Sequence, residues 1–329
     1  MNNDFTSSRR GWLIGLGIAL ALGVAPPPLQ AQDYPNRPVK IVVPFPAGGT
    51  ADVMPRIIGD WLARKWGQAV VIENRTGAGG SIGAETVAKA DPDGYTLLSA
   101  PPPPLVINHN LYPRLGYDPM EFVPIIIMGR VPNALVVNPK IAAKTIPEFI
   151  AHARANPGKI TSATQGNGTT SHLTSEMFQM MANVKFQHVP YRGSAPALQD
   201  LVAGSVDIMF DNLGVSLPLV KAGQLKLVAV ASPKRMASLP DVPTIAETLP
   251  GFESAAWFAV VAPPKTPQGM VDKINTDINE ALRQPEIRQR LADLSAEPIG
   301  GTPQATASYM REEVARWHQV IKSASVKLQ

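Results

Sequence analysis

Short apolar runs that end in glycine-rich loops are the feature that most limits how this chain can fold. The run at residues 41–43 leads into PFPAGGTAD (44–52), and the run at 70–72 leads into NRTGAGGSIG (74–83). After each loop, apolar residues recur at the spacing of an amphipathic helix. Strands that alternate with helices through tight loops are typical of α/β domains built on parallel sheets. We therefore predict an α/β fold.

The pattern divides into two α/β units and a C-terminal tail. The first unit has predicted strands at 41–44, 70–73, 96–100, 124–128 and 134–137 and helices at 51–66 and 81–90. In the second unit, Thr145 caps an amphipathic segment, and strands are predicted at 160–163, 186–191, 206–210 and 225–231, with helices at 170–182, 195–203 and 216–222. The tail has a predicted strand at 255–261 and helices at 267–283, 285–295 and 304–325.

The tail lacks the strand–helix alternation, so we expect it to pack back on the first unit. The proline-rich segment 232–252 between them is typical of a connection. The chain then crosses between the units twice. We predict one domain from residues 32–133 and 254–329, and a second from residues 134–253.

The first 31 residues have the pattern of an export signal. Arg9 and Arg10 precede an apolar stretch at 11–25, and residues 29–31 resemble a cleavage site. The stretch is too short to span a bilayer, which takes about 20 residues. Both an ordinary secretory signal and a twin-arginine signal fit SRRGWL (8–13). The sequence therefore predicts a cleaved signal and a periplasmic protein, which without cysteine forms no disulfides.

Composition and motifs argue against several classes of function. Charged residues make up 17% of the 329 residues, the formal net charge is +4, and lysine and arginine are scattered, which disfavours nucleic-acid binding. GGSIG (79–83) matches the G-x-S-x-G pattern of hydrolases, but the loop before Ser81 is long for a nucleophile elbow. The glycines do not directly follow the first strand, as a dinucleotide fold requires, and a P-loop lysine is missing. The five histidines are scattered and cysteine is absent, so we predict no metal site.

Backbone capture of an anion explains the glycine-rich loops better. Glycine lets a ligand approach the backbone closely, and free N–H groups at a helix N-terminus attract negative charge. Two such loops on adjacent strands can hold one carboxylate between them. TQGNGTTSHL (164–173) repeats the arrangement in the second unit with three hydroxyl side chains, and the next loop adds Tyr191 and Arg192.

Two aspartates stand at strand ends and need separate interpretation. Asp52 would repel a bound carboxylate, so we expect it to accept hydrogen bonds from N–H groups at the start of its own helix, or to receive an amino group of the ligand. Asp211 ends the strand at 206–210 and is expected to face the cleft.

Five segments in order resemble the solute-binding proteins of tripartite tricarboxylate transporters, the Bug family. They are residues 34–62, 70–98, 166–173, 189–212 and 239–247, which together extend over nearly the whole mature chain. The resemblance implies a two-domain periplasmic binding protein of type II, a Venus flytrap with a double crossover between lobes. It also implies a small organic carboxylate ligand, permease subunits of the transporter as partners, a monomer, and no cofactor or catalytic residue.

The resemblance also implies the ligand-binding residues. They are Phe45, Ala47, Gly48, Gly49 and Asp52 in the first loop, Ala78, Gly79, Gly80 and Ser81 in the second, Ala100 at the end of the third strand, and Thr169, Thr170, Ser171, Tyr191, Arg192 and Asp211 in the second lobe. A secreted hydrolase that uses Ser81 and a ligand sensor for a membrane receptor stay open as alternatives.

The chain departs from the family in SAPPPPL (99–105), where small hydroxyl residues and glycine are usual. Proline has no N–H to offer a ligand, and a proline run favours extended polyproline geometry. Residues 101–104 then either form an apolar wall with Phe45 and Tyr191, which we expect, or only brace the end of the strand without contact to the ligand. The wall predicts a carboxylate with an apolar or aromatic body, rather than citrate.

Overall fold

The computed structural model describes residues 34–324 and 326, so the predicted export signal lies outside the described residues. The first of two sheets has the strand order β2-β1-β3-β9-β4-β10. Strands β1 to β3 are parallel, and β9 runs antiparallel to both β3 and β4. Its strands are β1 (Val39–Val43), β2 (Val70–Asn74), β3 (Thr96–Ala100), β4 (Val123–Val137), β9 (Ala255–Ala262) and β10 (Glu297–Gly300).

The second sheet shares β4 and has the order β8-β4-β7-β5-β6. Strand β5 is parallel to β6 and β7, whereas β4 is antiparallel to β7 and β8. Its other strands are β5 (Ile160–Thr164), β6 (Phe186–Pro190), β7 (Ile208–Asn212) and β8 (Lys226–Val230).

Nine α-helices flank the sheets within the described residues, and the strand–helix alternation predicted from the sequence is confirmed. They are α1 (Thr50–Trp66), α2 (Ser81–Ala88), α3 (Ile146–Ala155), α4 (Thr170–Ala182), α5 (Ser194–Ala203), α6 (Leu213–Lys221), α7 (Gln268–Arg283), α8 (Pro285–Asp293) and α9 (Pro303–Ser323). In the part of the chain that the structure describes, no helix is long and apolar enough to cross a membrane.

Strand β4 passes from one sheet into the other. Its residues up to Pro132 pair with β9, and from Asn133 onward they pair with β7 and β8. The sequence predicted two separate strands here, and that prediction is wrong. Gly129 and Pro132 interrupt the apolar run, but shifts of register beside Gly129 accommodate the interruption and the ladder continues.

Three segments cross between the sheets side by side. The N–H of Asn133 donates to the carbonyl of Ser254, the N–H of Ser254 to the carbonyl of Ala231, and the N–H of Ala231 to the carbonyl of Asn133. The proline-rich segment before Ser254 does more than connect, because its Ile245 and Phe252 are buried in the apolar core of the second sheet.

The C-terminal helices pack on the first sheet, as predicted. Met310 and Trp317 of α9 belong to the same apolar core as Val42 of β1. Trp317 and Trp257 of β9 both donate an indole N–H to Glu313 Oε2, at 2.9 and 2.8 Å. Arg316 Nη1 donates to the other oxygen of Glu313 at 3.0 Å, and this buried, fully bonded carboxylate ties α9 to the centre of the sheet.

Candidate ligand-binding site

Helix α1 begins directly after the loop that follows β1, and its N-terminus has no side-chain cap. The N-cap residue is Gly49, so the first N–H groups of the helix, on Thr50 and Ala51, have no partner from a capping side chain. The Thr50 side chain is 1% exposed, and its Oγ1 has no hydrogen-bond partner among the described residues. These donors lie at the positive end of a 17-residue helix.

Asp52 braces the loop before α1. Its carboxylate accepts hydrogen bonds from the Gly48 N–H at 3.1 Å, Asn74 Nδ2 at 2.9 Å and Arg56 Nη2 at 2.8 Å. Burial would raise the pKa of Asp52, but the hydrogen bonds from Arg56, Asn74 and Gly48 outweigh it and hold the pKa below its ordinary value. The sequence placed the backbone donors in the first turn of α1, whereas the observed backbone donor, Gly48, lies in the loop before the helix.

The loop before α2 is a run of left-handed residues. Ala78, Gly79 and Gly80 have φ of +47°, +60° and +92°, and Gly80 caps α2 without a side chain. Ser81, the first residue of α2, is buried, and its Oγ accepts a hydrogen bond from Asn108 Nδ2 at 2.8 Å. An amide group that donates to Ser81 cannot take its proton, so this contact gives no base for a serine nucleophile.

Two further helix N-termini follow strands of the second sheet. Helix α4 is capped by Thr169, whose Oγ1 accepts the His172 N–H at 3.4 Å and donates to the carbonyl of Gly166 at 2.7 Å. Helix α5 begins after Gly193, at φ +107°, again without a side-chain cap. The α1, α4 and α5 termini all contribute to one cavity.

We call this space the inner cavity. It is narrow, with a volume of about 30 Å³, enough for one or two ordered waters. Of the described residues that line it, none carries a charged side chain. The lining residues are Phe45, Pro46, Ala47, Gly49, Thr50, Ala51, Pro101, Pro103, Gln165, Thr169, Thr170, Gly193, Ser194, Ala195, Asn212, Ala256 and Phe258.

A second space, the outer cavity, adjoins the inner cavity at Phe45. Phe45, Pro46 and Gln165 line both cavities. The outer cavity is lined by Pro44, Phe45, Pro46, Thr76, Gly77, Ala78, Gly79, Gly80, Ile82, Tyr112, Gln165, Gly166, Asn167, Tyr191 and Arg192. The hydroxyl of the lining residue Tyr191 donates to Asp200 Oδ2 at 2.6 Å, and Asp200 does not line the cavity.

The structure thus brings most of the predicted residues to one cleft. Six predicted residues line neither cavity: Gly48 is exposed in the loop before α1, and Asp52, Ser81, Ala100, Ser171 and Asp211 are buried. Sequence reasoning missed Gln165, Ser194 and Phe258. Gln165 had a usable signal, because a polar residue directly after a parallel strand lies at the edge where ligands bind.

Asp211 also lies behind the cavity surface. It is fully buried, and its Oδ1 accepts hydrogen bonds from Gln165 Nε2 at 2.8 Å and from Ser194 Oγ at 2.9 Å, whereas its Oδ2 has no partner among the described residues. Burial raises the pKa of Asp211 to about 6, against the hydrogen bonds from Gln165 and Ser194. Asp211 therefore does not face the cavity but holds two side chains that line it, Gln165 and Ser194.

The proline run does not adopt the extended geometry predicted for it. Pro102 has φ −48° and ψ −39°, and a π-helical turn follows over Pro103–Ile107. The fixed φ of proline suits the first turn of a helix, where no N–H has an internal partner, so the run starts a turn. Pro101 and Pro103 line the inner cavity. Two of the four prolines therefore share the inner cavity with Phe45, whereas Tyr191, expected in the same wall, lines the outer cavity instead.

One group of side chains could be considered for a metal, although the sequence predicted none. His172, Glu176 and His188 offer ligand atoms within 4.8 Å of one another. However, His172 Nδ1 accepts the Gly168 N–H at 3.2 Å, so in a neutral ring the proton is on Nε2, the atom nearest Glu176. This arrangement suits a hydrogen bond to Glu176 and leaves His172 Nε2 without a free lone pair for a metal.

Two α/β halves that share crossing strands, with helix N-termini from both halves around one cavity, have the fold of a two-lobed solute-binding protein. Such a fold places its ligand between the halves, where the strands of each sheet end. Residues 54–326 match the model of the tripartite tricarboxylate transporter family receptor, TctC, and the chain belongs to that family.

Relatives agree over almost the whole length. Protein BugT of Bordetella pertussis is 39% identical over 319 residues, which cover 96% of this chain and 97% of BugT. The structure of R. palustris Rpa4515 with adipate is 40% identical, with a TM-score of 0.88 over 90% of this chain and 99% of that one. MatC from Rhodopseudomonas palustris, with bound malate, is 35% identical, with a TM-score of 0.83 over 88% of this chain and all of MatC (100%).

Proposed function

We propose that this protein captures a small organic carboxylate in the periplasm and delivers it to the membrane subunits of a tripartite tricarboxylate transporter. The observation that carries the proposal is the convergence of the α1, α4 and α5 N-termini on one cavity without a charged lining residue. Helix N-termini and hydroxyl groups bind an anion without a cationic side chain. The protein acts as a monomer and has no catalytic residue, cofactor or metal of its own.

The relatives support the ligand class, because Rpa4515 is seen with adipate and MatC with malate. We propose that one carboxylate binds at the start of α1, where the Thr50 hydroxyl lacks a partner, and that the loop 78–80 contacts the part of the ligand that reaches the outer cavity. Thr169, Thr170 and the start of α5 bind the other polar end of the ligand. Tyr191 and Arg192 close the outer side, and Phe45 lies between the two cavities.

We propose further that residues 32–133 with 254–329 and residues 134–253 move as two lobes. The change of sheet within β4 and the crossing at Ser254 support these boundaries. The inner cavity has room for only about two waters in this conformation, so a ligand enters when the lobes separate. Cleavage of the export signal at residue 31 would release the mature protein into the periplasm.

The body of the ligand contacts an apolar surface. Phe45, Pro101, Pro103 and Phe258 line the inner cavity beside the helix termini. Aromatic and ring carbons favour an apolar or aromatic ligand body, since burial of apolar area contributes about 25 cal/mol per Å². We therefore propose an aromatic mono- or dicarboxylate ahead of citrate.

A thermal-shift screen of purified protein against carboxylates tests the proposal. A true ligand at 100 times its Kd stabilises the folded state by about 2.7 kcal/mol. Calorimetry then compares benzoate and terephthalate with citrate, malate and aspartate. Stabilisation by no carboxylate would contradict capture, and tight citrate binding without a response to aromatic acids would contradict the aromatic body.

Two controls separate this function from its alternatives. Chromogenic esters are incubated with the wild-type protein and with Ser81→Ala, and we expect no turnover by either. Turnover that Ser81→Ala abolishes would identify a hydrolase instead. Uptake of the identified ligand is then measured in cells with and without the permease subunits. Uptake that does not need this protein would argue against delivery.

A further inference from the structure

One polar side chain on the inner cavity is held by a buried network behind it. Gln165 Nε2 donates to Ser194 Oγ at 2.9 Å, to Asp211 Oδ1 at 2.8 Å and to Asn212 Oδ1 at 3.0 Å. Ser194, Asp211 and Asn212 are each less than 7% exposed. The amide nitrogen of Gln165 is therefore surrounded by oxygen atoms on the side away from the cavity.

The chemistry of these three partners fixes which way the amide faces. An ionised Asp211 only accepts, and the Ser194 hydroxyl donates to Asp211 Oδ1, so its oxygen is left as an acceptor. Asn212 Nδ2 donates to Asn133 Oδ1 at 2.9 Å, which leaves Asn212 Oδ1 facing Gln165. A flipped Gln165 amide would place its oxygen against three acceptors, one of them a carboxylate.

The network continues to the crossing strands. Asn133 Nδ2 donates to Thr174 Oγ1 at 2.8 Å and to Ser254 Oγ at 2.9 Å, and Asn133, Thr174 and Ser254 are all fully buried. The orientation of each side-chain amide in this hydrogen-bond network is set by the next one. The direction of the Gln165 amide is thus set by the buried polar core, independently of any ligand.

The Gln165 oxygen consequently lies on the cavity side of the amide, away from the buried network. Within the described residues no hydrogen bond is donated to Gln165 Oε1, although Gln165 lines both cavities. A fixed acceptor repels a carboxylate oxygen and needs a donor. An ammonium group would find no carboxylate among the described residues that line the inner cavity, whereas a neutral hydroxyl needs none.

We propose that Gln165 determines ligand specificity, with Oε1 accepting a hydrogen bond from a hydroxyl group on the carboxylate ligand. The proposal rests on the proposed function and adds the substituent that the ligand carries. A ligand without the hydroxyl leaves an ordered water in its place or leaves Oε1 unpaired. One net hydrogen bond corresponds to a preference of about fivefold in Kd.

Calorimetry with two matched pairs tests this proposal: malate against succinate, and 4-hydroxybenzoate against benzoate. The wild-type protein should bind the hydroxylated member of a binding pair at least about fivefold more tightly, and malate more tightly than aspartate. Gln165→Met, which keeps the side-chain length, should bring the ratio of the two Kd values close to one. The control Gln187→Met changes an exposed glutamine on β6 and should keep the wild-type ratio.

The outcomes distinguish this inference from the proposed function. Equal affinity within each pair, or a preference that persists in Gln165→Met, overturns the role of Gln165 and leaves carboxylate capture intact. Binding of no carboxylate at all overturns both. Amide NMR of the ligand-free protein tests the orientation directly. The Gln165 side-chain NH₂ protons should exchange with water much more slowly than those of Gln187, and equally fast exchange overturns the fixed orientation.

Discussion

Replacing Thr50 with valine separates ligand binding at the α1 terminus from the stability of the fold. The Thr50 hydroxyl is buried without a partner, and an unpaired buried polar group costs about 1–3 kcal/mol. Valine has nearly the same shape and no polar atom, so Thr50→Val should raise the free energy of unfolding of the ligand-free protein by about 1 kcal/mol. The same change removes a hydrogen bond to a charged ligand, worth about 1.5–3 kcal/mol, so Kd should rise about 10- to 150-fold.

Urea unfolding without ligand and calorimetry with the best carboxylate of the screen measure the two effects. Ser99→Ala is a matched control, because Ser99 Oγ on β3 is also buried and unpaired but lines neither cavity. This control should match or exceed the wild-type stability and keep the wild-type Kd. A Thr50→Val protein that is less stable by about 1 kcal/mol, or that binds within twofold of the wild type, would refute the reasoning.

Three further predictions follow from buried groups. The pKa of Asp211 in the folded protein, about 6, lies above its ordinary value of 3.8, so between these pH values the folded state binds more protons than the unfolded state. The free energy of unfolding should therefore fall as pH rises through this range. Asp211→Asn should abolish this fall, measured by urea unfolding at pH 4 to 7. Asp207 is the opposite control, since hydrogen bonds from Thr161 and Lys140 outweigh burial and lower its pKa, and Asp207→Asn should lose stability above pH 4. Asn133→Ala removes three side-chain hydrogen bonds and should cost about 3 kcal/mol in urea unfolding, and a loss below about 1 kcal/mol would count against the network. Gly83→Ala places a Cβ 2.7 Å from a backbone carbonyl, so it should lower the free energy of unfolding by about 1–3 kcal/mol and weaken carboxylate binding. Unchanged thermal unfolding would show that the loop 75–83 can shift to accommodate the Cβ at little cost.

Local pattern predicted the elements whose ends carry a physical signal. Strand β3 and helix α4 have the predicted bounds, because Pro101 follows the last residue of β3 and α4 lies between the N-cap Thr169 and the left-handed C-cap Asn183. Strand β4 was predicted as two pieces, because Gly129 and Pro132 are local breakers and the ladder that overrides them comes from β9, β7 and β8. Strand β10 is short and had no sequence pattern that predicts a strand. It forms by pairing with β4, which is distant in the sequence.

The site was predictable where the backbone itself makes it. Glycine-rich segments before predicted helices identified the loops that precede α1, α2 and α4 from sequence alone. Which side chains reach the cavity depends on packing, so the sequence did not separate Thr169 and Thr170 on its surface from Ser171 behind it. The role proposed for Gln165 depends on buried partners more than 25 residues away, which no local spacing indicates.

The position of β9 in the first sheet has a consequence for the order of folding. It lies between β3 and β4, yet the ribosome makes it after every strand of the second sheet. The second sheet can pair its strands while β3 still has an open edge, and pairing over such long sequence separations is slow. The half of the molecule that is synthesised first therefore completes its sheet last, and a nascent chain that stops before residue 255 exposes an unpaired apolar edge that is prone to aggregate.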